Sequence, residues 1–445
     1  MFKKVLIIGM ARSGISSAKI LKSLGVDVFI SDRKTNLDDS ERETLEKLNI
    51  PYELGKHTLE NFKNFDVIVT SPGVPIDSPS LKYAFENNIK VISEIELAHL
   101  LTKTPILAIT GSNGKTTTTS LIYDIMRLEF DNVACGGNIG YPLIELSLEN
   151  HKYLIAEISS FQLETIETFK PKVALLLNIY ENHLDRHKTM DVYIDTKKRI
   201  FMNQDTNDFA ILNADDENLN FDGLKSNIIP FSTKKKLDNG VFVENGKIVS
   251  NINNKYLEII DIKDIPLLGQ HNIENCVAAT AVCLSVNVKP ENIRMGIKNF
   301  KAITHRLETV EIINDVRFIN DSKSTNYTSS IKAIESFENN LILILGGRDK
   351  GGNFEPLAQK IKEKVKTVIL QGEAKEHFKD ELLKNNYENI YLENDLNLAV
   401  IKAFNIAKKG DTVLFSPACT SFDMFSNYEE RGEFFKKYVQ SLLSI

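Results

Sequence analysis

Short apolar runs alternate with helix-like segments along most of the chain. Lys4–Gly9, Ile106–Thr110 and Leu341–Leu345 are short and mostly apolar, as expected of parallel strands that are buried on both faces. The segments between such runs have the spacing of amphipathic helices. The alternation restarts near residues 94 and 301. It therefore predicts an α/β fold of three domains on open parallel sheets, covering residues 1–93, 94–300 and 301–445.

The same pattern predicts individual elements. Further strands are expected at Val26–Asp32, Phe65–Thr70, Tyr153–Ile158, Lys172–Asn178, Val316–Asn320, Thr367–Leu370 and Thr412–Phe415. Helices are expected at Gly14–Leu24, Lys115–Glu129, 271–286 and 290–299. Between residues 225 and 262 the pattern changes to short alternating runs around Asn245-Gly246, which is a hairpin signal. A small antiparallel patch attached to the central sheet is therefore predicted.

Length, composition and charge narrow the class of protein. The 445 residues exceed what one hydrophobic core supports. A hydrophobic fraction of 42% and a charged fraction of 26% are ordinary globular values. The formal net charge of −6 provides no basic field for nucleic acid. No apolar run reaches the roughly 18 residues of a membrane span, and the N-terminal run is too short for a signal peptide. A cytoplasmic protein, monomeric and without membrane contact, is expected.

The four cysteines give no sign of metal or redox chemistry. Cys135, Cys276, Cys283 and Cys419 show no C-x-x-C spacing, which argues against a zinc site or a redox pair. They are expected to be buried thiols in a reducing compartment.

The sharpest local signal is a strand that runs into Gly111-Ser112-Asn113-Gly114-Lys115-Thr116 and then into a helix. Glycines let backbone N–H groups wrap around phosphate oxygens, and the helix N-terminus adds its positive dipole end. Lys115 supplies a charge for the terminal phosphates, and Thr116 supplies a hydroxyl for Mg²⁺. The first glycine of the usual G-x-x-x-x-G-K-[ST] pattern is replaced by Ile109. The sequence nevertheless predicts ATP binding rather than a plain strand-turn-helix junction.

A second glycine motif is weaker. Gly9-Met10-Ala11-Arg12-Ser13-Gly14 is similar to G-x-G-x-x-G, but Ala11 occupies the position of the middle glycine. Asp32 ends the next strand, near the position of a ribose-binding acid. A dinucleotide site and a generic β-α turn both remain open on this motif alone.

Longer motifs in all three stretches resemble the Mur ligase family. In the central stretch they are TGSNGKTT (110–117), GGNIG (136–140), EISSFQLE (157–164), NHLDRH (182–187), TKKRIF (196–201) and GQHNIEN (269–275). In the third stretch they are HRLE (305–308), NDSKSTN (320–326), GGRDKG (346–351) and SPACTSFDMFSNYEERG (416–432). Ile109 in place of the first glycine is normal for this family. SSFQLE and SPACTSFDMF are closest to its D-glutamate-adding branch.

The resemblance implies a fold and a reaction. It implies Rossmann-like first and third domains and a P-loop-type central domain. It implies an ATP-dependent ligase that joins D-glutamate to UDP-N-acetylmuramoyl-L-alanine in peptidoglycan precursor synthesis. The substrate carboxylate takes the γ-phosphate and becomes an acyl phosphate, and the incoming amine then displaces phosphate. This chemistry needs positioning and charge neutralisation.

The resemblance also assigns the catalytic and metal residues. Glu157 and His183 ligate Mg²⁺, with two ions expected, and Thr116 adds a hydroxyl ligand. Lys197 is carbamylated, which turns a cation into an oxygen ligand. The K-x-x-I-[FY] register favours Lys197 over Lys198. Lys323, together with Lys115, approaches the reaction centre.

Substrate contacts follow from the matching positions. ATP is assigned to Gly111, Ser112, Asn113, Gly114, Lys115, Thr116, Thr117, Asn272, Asn275, Arg306 and Asp321. The UDP substrate is assigned to Ser13, Gly14, Ile15, Asp32, Arg33, Ser71, Pro72, Gly73, Asn138, Ser159 and Gln162. The amino acid is assigned to Thr325, Lys350, Ser421 and Phe422 by their match to family positions, and a lysine and hydroxyls suit a dicarboxylate. No DNPR-like segment occurs, which argues against the branch that adds diaminopimelate or lysine.

Three other readings remain open. One is a different amide ligase of the superfamily, such as a folylpolyglutamate synthase or another Mur ligase. Another is a nucleotide-binding scaffold without turnover, which the set Lys115, Glu157, His183 and Lys197 disfavours. The last is a dehydrogenase that uses Gly9–Gly14, for which no hydride-transfer constellation is visible.

Overall fold

The computed structural model describes residues 2–219, 222–267, 269–301, 304–337, 340–349 and 351–444. The chain forms two compact units, Met1–Ile265 with Glu274–Asn299 and Pro266–Ile273 with Phe300–Ile445. Two of its three sheets lie in the first unit and one lies in the second. The domain boundaries at residues 93 and 300 stay predictions.

The first sheet is parallel throughout. Its strands, in the order β3-β2-β1-β4-β5, are β1 (Lys4–Ile8), β2 (Asp27–Asp32), β3 (Tyr52–Leu54), β4 (Val67–Thr70) and β5 (Val91–Ser93). Its helices are α1 (Arg12–Ser23), α2 (Asp39–Lys47), α3 (Pro79–Glu86) and α4 (Glu94–Leu101). The order of the strands reverses beside β1, and such a switch point opens a crevice at the carboxyl ends of the strands.

The second sheet has nine strands in the order β14-β13-β12-β11-β10-β9-β6-β8-β7. They are β6 (Ile106–Thr110), β7 (Val133–Gly137), β8 (Tyr153–Glu157), β9 (Val173–Leu176), β10 (Phe209–Asn213), β11 (Asn227–Ser232), β12 (Val241–Glu244), β13 (Lys247–Ile252) and β14 (Lys255–Asp261). Its helices are α5 (Lys115–Met126), α6 (Leu143–Leu146), α7 (Ser160–Leu163), α8 (Leu184–His187), α9 (Met190–Lys198), α10 (Gln270–Ser285) and α11 (Pro290–Asn299). Strands β6 to β12 pair in parallel, and the division between the two units falls within α10.

The predicted antiparallel patch is present at one edge of this sheet. β12 and β13 pair antiparallel across Asn245 (φ 50°) and Gly246 (φ 71°), and β14 adds a further antiparallel strand. Positive φ at both central residues is the geometry of a type I′ hairpin turn. The patch extends the nucleotide-binding sheet rather than forming a separate one.

The third sheet has the order β15-β16-β20-β17-β18-β19, and only its β15–β16 pair is antiparallel. Its strands are β15 (Glu308–Ile313), β16 (Val316–Asn320), β17 (Leu341–Gly346), β18 (Val365–Gln371), β19 (Ile390–Leu392) and β20 (Thr412–Phe415). Its helices are α12 (Tyr327–Glu335), α13 (Glu355–Lys364), α14 (Lys375–Lys384), α15 (Leu396–Ile406) and α16 (Tyr428–Ser441). The mixed α/β architecture on three sheets confirms the predicted fold class.

Burial follows the predicted pattern, with one difference among the cysteines. Every residue of β6 and β17 is buried, because helices cover both faces of these parallel sheets. Cys276, Cys283 and Cys419 are buried as predicted, but Cys135 is only half-buried because it lies on the edge strand β7. Within the described residues, no helix is both long and apolar enough to cross a membrane.

Candidate active site

The phosphate loop connects β6 to α5 and depends on two glycines. Gly111 has φ 154° and Gly114 has φ 83°, so both lie in the region that favours glycine. A Cβ atom on Gly114 would lie 2.4 Å from Oδ1 of Asn275, on α10. The loop therefore has no room for a side chain at Gly114, and its backbone N–H groups at the N-terminus of α5 suit an anion.

Lys115 and Lys197 meet at this loop. Lys115 Nζ donates to the carbonyl oxygens of Gly111 (2.9 Å) and Ser112 (3.0 Å). Lys197 Nζ donates to the carbonyl oxygen of Gly111 (2.9 Å) and to the hydroxyl of Thr110 (3.3 Å). Lys197 is 1% exposed. Burial, and then the charge of Lys115, hold the pKa of Lys197 well below its ordinary value, although Glu157 opposes the shift.

Glu157 faces the same loop from the neighbouring strand. It ends β8 opposite Ile109 of β6 and is 2% exposed. Its Oε1 accepts a 2.8 Å hydrogen bond from Nδ2 of Asn138, and Asn138 N donates to the Glu157 carbonyl oxygen (2.8 Å). Its Oε2 is buried with no hydrogen-bond partner among the described residues. A buried carboxylate oxygen without a partner suits a cation.

The residues present fit magnesium bound together with a nucleotide. Within the described residues, no three His, Cys, Asp or Glu side chains converge as a metal site. Mg²⁺ commonly uses one or two carboxylates and completes its shell with phosphates and water. Glu157 supplies such a carboxylate, and Thr116 lies half-buried in the first turn of α5. The donor set therefore suits a metal-nucleotide site rather than an all-protein cage.

His183 lies on the surface just before α8. It is exposed, has φ 57°, and its ring meets the ring of Phe161 edge-on at 4.8 Å. Phe161 also stacks on His187, whose Nε2 lies 3.0 Å from the hydroxyl of Ser160. The predicted residues Ser159 and Gln162 bond to each other as the capping box of α7. The short α7 thus presents Ser159, Phe161 and Gln162 from one rigid turn.

The first sheet has a cavity of about 500 Å³ at its switch point. Predicted residues in its lining are Asp32, Arg33, Ser71 and Gly73. Asp32 Oδ2 accepts from the backbone N–H of Met10, and the Ser71 hydroxyl donates to the Gly9 carbonyl oxygen (2.9 Å). Gly14 is packed against Gly9, because a Cβ atom on Gly14 would lie 2.0 Å from the carbonyl oxygen of Gly9. Ser13, Ile15 and Pro72 lie outside the lining.

Sequence reasoning missed two residues of this cavity and one that supports it. Lys56 and His57 line the cavity, and His57 Nδ1 lies 2.7 Å from the hydroxyl of Ser31. Arg186 donates to the carbonyl oxygens of Pro72 (2.5 Å) and Val74 (3.0 Å). No motif marked Lys56 or His57, whereas Arg186 lies within NHLDRH. The charge of Arg186 within NHLDRH was the available signal.

In the second unit, Arg306 and Asp321 lie close together. Asp321 is fully buried, and its carboxylate accepts from the Leu307 N–H (3.2 Å) and the Ser416 hydroxyl (2.7 Å). Burial raises the pKa of Asp321 to about 6, and the charge of Arg306 opposes this shift. Nε of Arg306 is buried with no hydrogen-bond partner in the described part of the chain. Lys323 Nζ lies over the ring of Tyr428 at 5.5 Å.

The residues predicted to bind the amino acid follow β16, β17 and β20. Thr325 is half-buried, Ser421 is buried and Phe422 is 61% exposed. Lys350 lies outside the described residues. The loops after β17 and β20 are joined because Arg348 N and Thr420 N each donate to the other residue's carbonyl oxygen over 3.0 Å.

The structure thus groups the predicted residues by unit. Lys115, Glu157, Lys197 and Asn275 gather around the phosphate loop in the first unit. Asn272, on the preceding turn of α10, belongs to the second unit, as do Arg306, Asp321 and Lys323.

Comparison with known proteins shows the family of this chain. Three family profiles match: the Mur ligase MurD-like N-terminal domain at residues 3–93, the Mur ligase middle domain at 109–283 and the Mur ligase glutamate ligase domain at 305–419. The chain belongs to the Mur ligase family. Mur ligases are ATP-dependent enzymes that form amide bonds, and the chain is therefore such a ligase.

Two proteins that are similar to this chain over nearly its full length share one name. The UDP-N-acetylmuramoylalanine–D-glutamate ligase of Alkaliphilus metalliredigens is 43% identical over 99% of this chain and 98% of its own length. The ligase of the same name from Clostridioides difficile is 41% identical, with 99% of each chain covered.

Solved structures share the fold. A pseudomurein peptide ligase type C from Methanothermus fervidus has a TM-score of 0.60 at 19% identity and covers 99% of this chain and 100% of its own. The UDP-N-acetylmuramate-alanine ligase of Thermotoga maritima also has a TM-score of 0.60, at 18% identity and the same coverage.

Proposed function

We propose that this chain adds D-glutamate to UDP-N-acetylmuramoyl-L-alanine with cleavage of ATP to ADP and phosphate, in peptidoglycan precursor synthesis. The observation that carries the proposal is the phosphate loop itself. Lys115 and Lys197 share the carbonyl oxygen of Gly111, and Glu157 stands on the adjacent strand with a buried, unpartnered oxygen among the described residues. Full-length similarity to the two D-glutamate ligases named above supports this choice of substrates.

The proposed reaction has two steps. A carboxylate oxygen of the alanyl group attacks the γ-phosphorus, the bond to the bridging oxygen breaks, and ADP leaves. The amine of D-glutamate then attacks the acyl phosphate carbon, the C–O bond to phosphate breaks, and the amine gives up a proton. Both steps build negative charge on phosphate oxygens, which Lys115 and the N–H groups of the loop stabilise.

Magnesium and a carbamate complete this site in the proposal. Glu157 and Thr116 would hold Mg²⁺, which would neutralise charge at the transferred phosphate, and His183 would be a ligand of a second ion. Carbamylation of Lys197 is supported by its burial, because only a neutral amine reacts with carbon dioxide. A carbamate is negatively charged, so carbamylated Lys197 would attract Lys115 rather than repel it.

The substrates are assigned to residues by their match to positions of the family. The remaining loop residues, with Asn272, Asn275, Arg306 and Asp321, are assigned to ATP, and Lys323 to the reacting groups. The cavity at Asp32, Arg33 and Ser71 suits a nucleotide sugar, with Ser13, Gly14, Ile15, Pro72 and Gly73 around it. Asn138, Ser159 and Gln162 are assigned to the muramoyl-alanine end, and Thr325, Lys350, Ser421 and Phe422 to D-glutamate. A monomer in the cytoplasm stays a prediction that goes with these substrates.

A substrate exchange tests the proposal. ADP release is measured with two acceptor pairs, UDP-N-acetylmuramoyl-L-alanine with D-glutamate and a folate with L-glutamate. Turnover with the first pair alone, and a product whose mass equals the sum of both substrates minus water, is expected. Turnover with the folate pair would contradict the proposal and favour a folylpolyglutamate-type ligase. ATP binding without release of ADP in either case would indicate a scaffold.

A further inference from the structure

Arg431 is a buried cation that the reaction described above does not use. It lies on α16, is 1% exposed, and is among the largest fully buried side chains of the protein. Burial lowers its pKa to about 10, so the guanidinium remains charged near neutral pH. A buried charge is costly unless several hydrogen bonds compensate for the loss of water.

These hydrogen bonds join two loops of the proposed amino-acid site. Nε of Arg431 donates to the Ser322 hydroxyl (3.0 Å) and Nη2 donates to the Ser322 carbonyl oxygen (2.8 Å). Nη2 also donates to the carbonyl oxygen of Cys419 (3.0 Å). Ser322 precedes Lys323 and Thr325 in the loop after β16, and Cys419 precedes Ser421 in the loop after β20.

The third nitrogen faces a third loop. Nη1 is buried with no hydrogen-bond partner in the described ranges. Nη1 lies against Gly347. A Cβ atom on Gly347 would be 3.1 Å from Nη1 and only 2.4 Å from the carbonyl oxygen of Thr420. Gly347 starts the loop after β17 that leads to Lys350, and the Arg348–Thr420 pairing ties that loop to the one after β20. The guanidinium thus stands where all three loops converge.

We infer that Arg431 is a positioning residue for the incoming amino acid, fixing the loops after β16 and β20 that carry Thr325 and Ser421, together with the loop that Gly347 starts after β17. The inference rests on the proposed function, because it takes these residues as the D-glutamate site. Arg431 itself does not touch substrate. Its planar fork bonds to two backbone carbonyls and a hydroxyl at once, which a lysine at this position could not do. Loss of the fork should therefore impair amino-acid binding before it impairs the other substrates.

Graded variants test this inference in the full-length enzyme. Ser322→Ala removes one acceptor, Arg431→Lys keeps the charge without the fork, and Arg431→Met removes both. Arg317→Met is the matched control, because Arg317 is exposed on β16 of the same sheet. KM is measured for D-glutamate, ATP and UDP-N-acetylmuramoyl-L-alanine, together with kcat and thermal unfolding.

The expected result is a selective rise of the KM for D-glutamate. It should be about tenfold or more in Arg431→Met, since a hydrogen bond to a charged group is worth about that factor. Arg431→Lys should recover part of the loss, Ser322→Ala should be mildest, and Arg317→Met should match the wild type.

The outcomes separate this inference from the proposed function. The inference alone would be overturned if the wild type turns over D-glutamate while the Arg431 and Ser322 variants raise all three KM values equally. It would also be overturned if these variants only lower the unfolding temperature. If both Arg431 variants fail to fold, Ser322→Ala decides by the same KM criterion. A wild-type chain without D-glutamate-dependent ADP release would overturn the proposed function, and the inference with it.

Discussion

Lys115 and Lys197 donate hydrogen bonds to the same acceptor, the carbonyl oxygen of Gly111, each over 2.9 Å. Two ammonium groups this close repel each other, and the buried one loses more by staying charged. Burial, and then the charge of Lys115, lower the pKa of Lys197, so a larger fraction of its amine is neutral and able to react. The pairing makes Lys197 chemically distinct from its neighbour Lys198, which is half-buried on the same helix.

Replacing Lys197 should abolish most of the activity. We expect Lys197→Ala to lower kcat by about a hundredfold or more, the scale of a lost charge-stabilising group. Lys198→Ala is the matched control and should keep most of the activity. Steady-state ADP release measures both. Equal, mild effects of the two changes would contradict the role assigned to Lys197.

The carbamate itself should be visible by carbon-13 NMR. Protein equilibrated with ¹³C-bicarbonate should show one carbamate resonance that Lys197→Ala abolishes and Lys198→Ala retains. A resonance that persists in Lys197→Ala would show that another amine reacts instead.

Glu157→Gln should weaken the binding of magnesium. The change keeps the shape of the side chain and the acceptor for Asn138. It removes the charge beside Oε2, which has no hydrogen-bond partner among the residues that the structure describes. The Mg²⁺ concentration for half-maximal ADP release should rise at least about tenfold, since even outer-shell changes at metal sites cost that much. Glu149→Gln, at an exposed carboxylate, is the control. An unchanged magnesium requirement in Glu157→Gln would remove Glu157 from the metal site.

Gly114→Ala should weaken ATP binding, whereas Gly246→Ala should not. Both glycines have positive φ, 83° and 71°, so each change carries a backbone cost of roughly 1–2 kcal/mol. At Gly114 the new methyl also meets Asn275 Oδ1, while around Gly246 there is open space. Calorimetric titration with ATP should give a Kd about tenfold or more higher for Gly114→Ala only. Equal affinities in the two variants would contradict the fit described for the phosphate loop.

Glu94 should make the first unit less stable as pH rises. Its side chain is 1% exposed, its Oε1 accepts from the Ile144 N–H (2.6 Å), and burial raises its pKa from 4.5 to about 7. Below pH 4.5 both folded and unfolded states hold the proton. Between pH 4.5 and 7 the unfolded chain releases it first, so stability falls, and the loss is complete above pH 7.

Glu94→Gln removes this titration while keeping the acceptor oxygen. Relative to the wild type, the variant should gain about 3 kcal/mol in free energy of unfolding between pH 4.5 and pH 8. Urea unfolding at both pH values measures the difference, and Glu60→Gln, an exposed carboxylate, is the control. A difference that does not change with pH would show that Glu94 ionises in the folded state as readily as in the unfolded chain.

The sequence anticipates those parts of the fold in which local pattern and burial agree. β6 coincides with its predicted strand because the apolar run is buried from end to end. β16 also coincides with its predicted strand, because its run stops at a turn residue. The hairpin at Asn245-Gly246 follows from the turn alone. By contrast, β3, β5 and β19 have only three residues each, and β7 contains two glycines. Such strands exist because a neighbouring strand supplies partners, and a local pattern cannot show that.

The candidate site, like the fold, has residues that the local sequence predicts and residues that it does not. The phosphate loop lies within one continuous motif, so its residues are predictable together. Lys56 and Arg431 are not, because their neighbours come from distant parts of the sequence. Arg431 bonds to Ser322, which lies 109 positions earlier. Its burial, and the lack of a hydrogen-bond partner for Nη1 within the described part of the chain, become evident only in three dimensions.

The amino-acid dependence of ADP release tests the central claim most directly. Three assays contain ATP, Mg²⁺ and UDP-N-acetylmuramoyl-L-alanine with D-glutamate, with L-glutamate or with no amino acid, and a Lys115→Ala enzyme serves as the inactive reference. We predict sustained ADP release with D-glutamate only. Equal release with L-glutamate, or sustained release without any amino acid, would contradict the account.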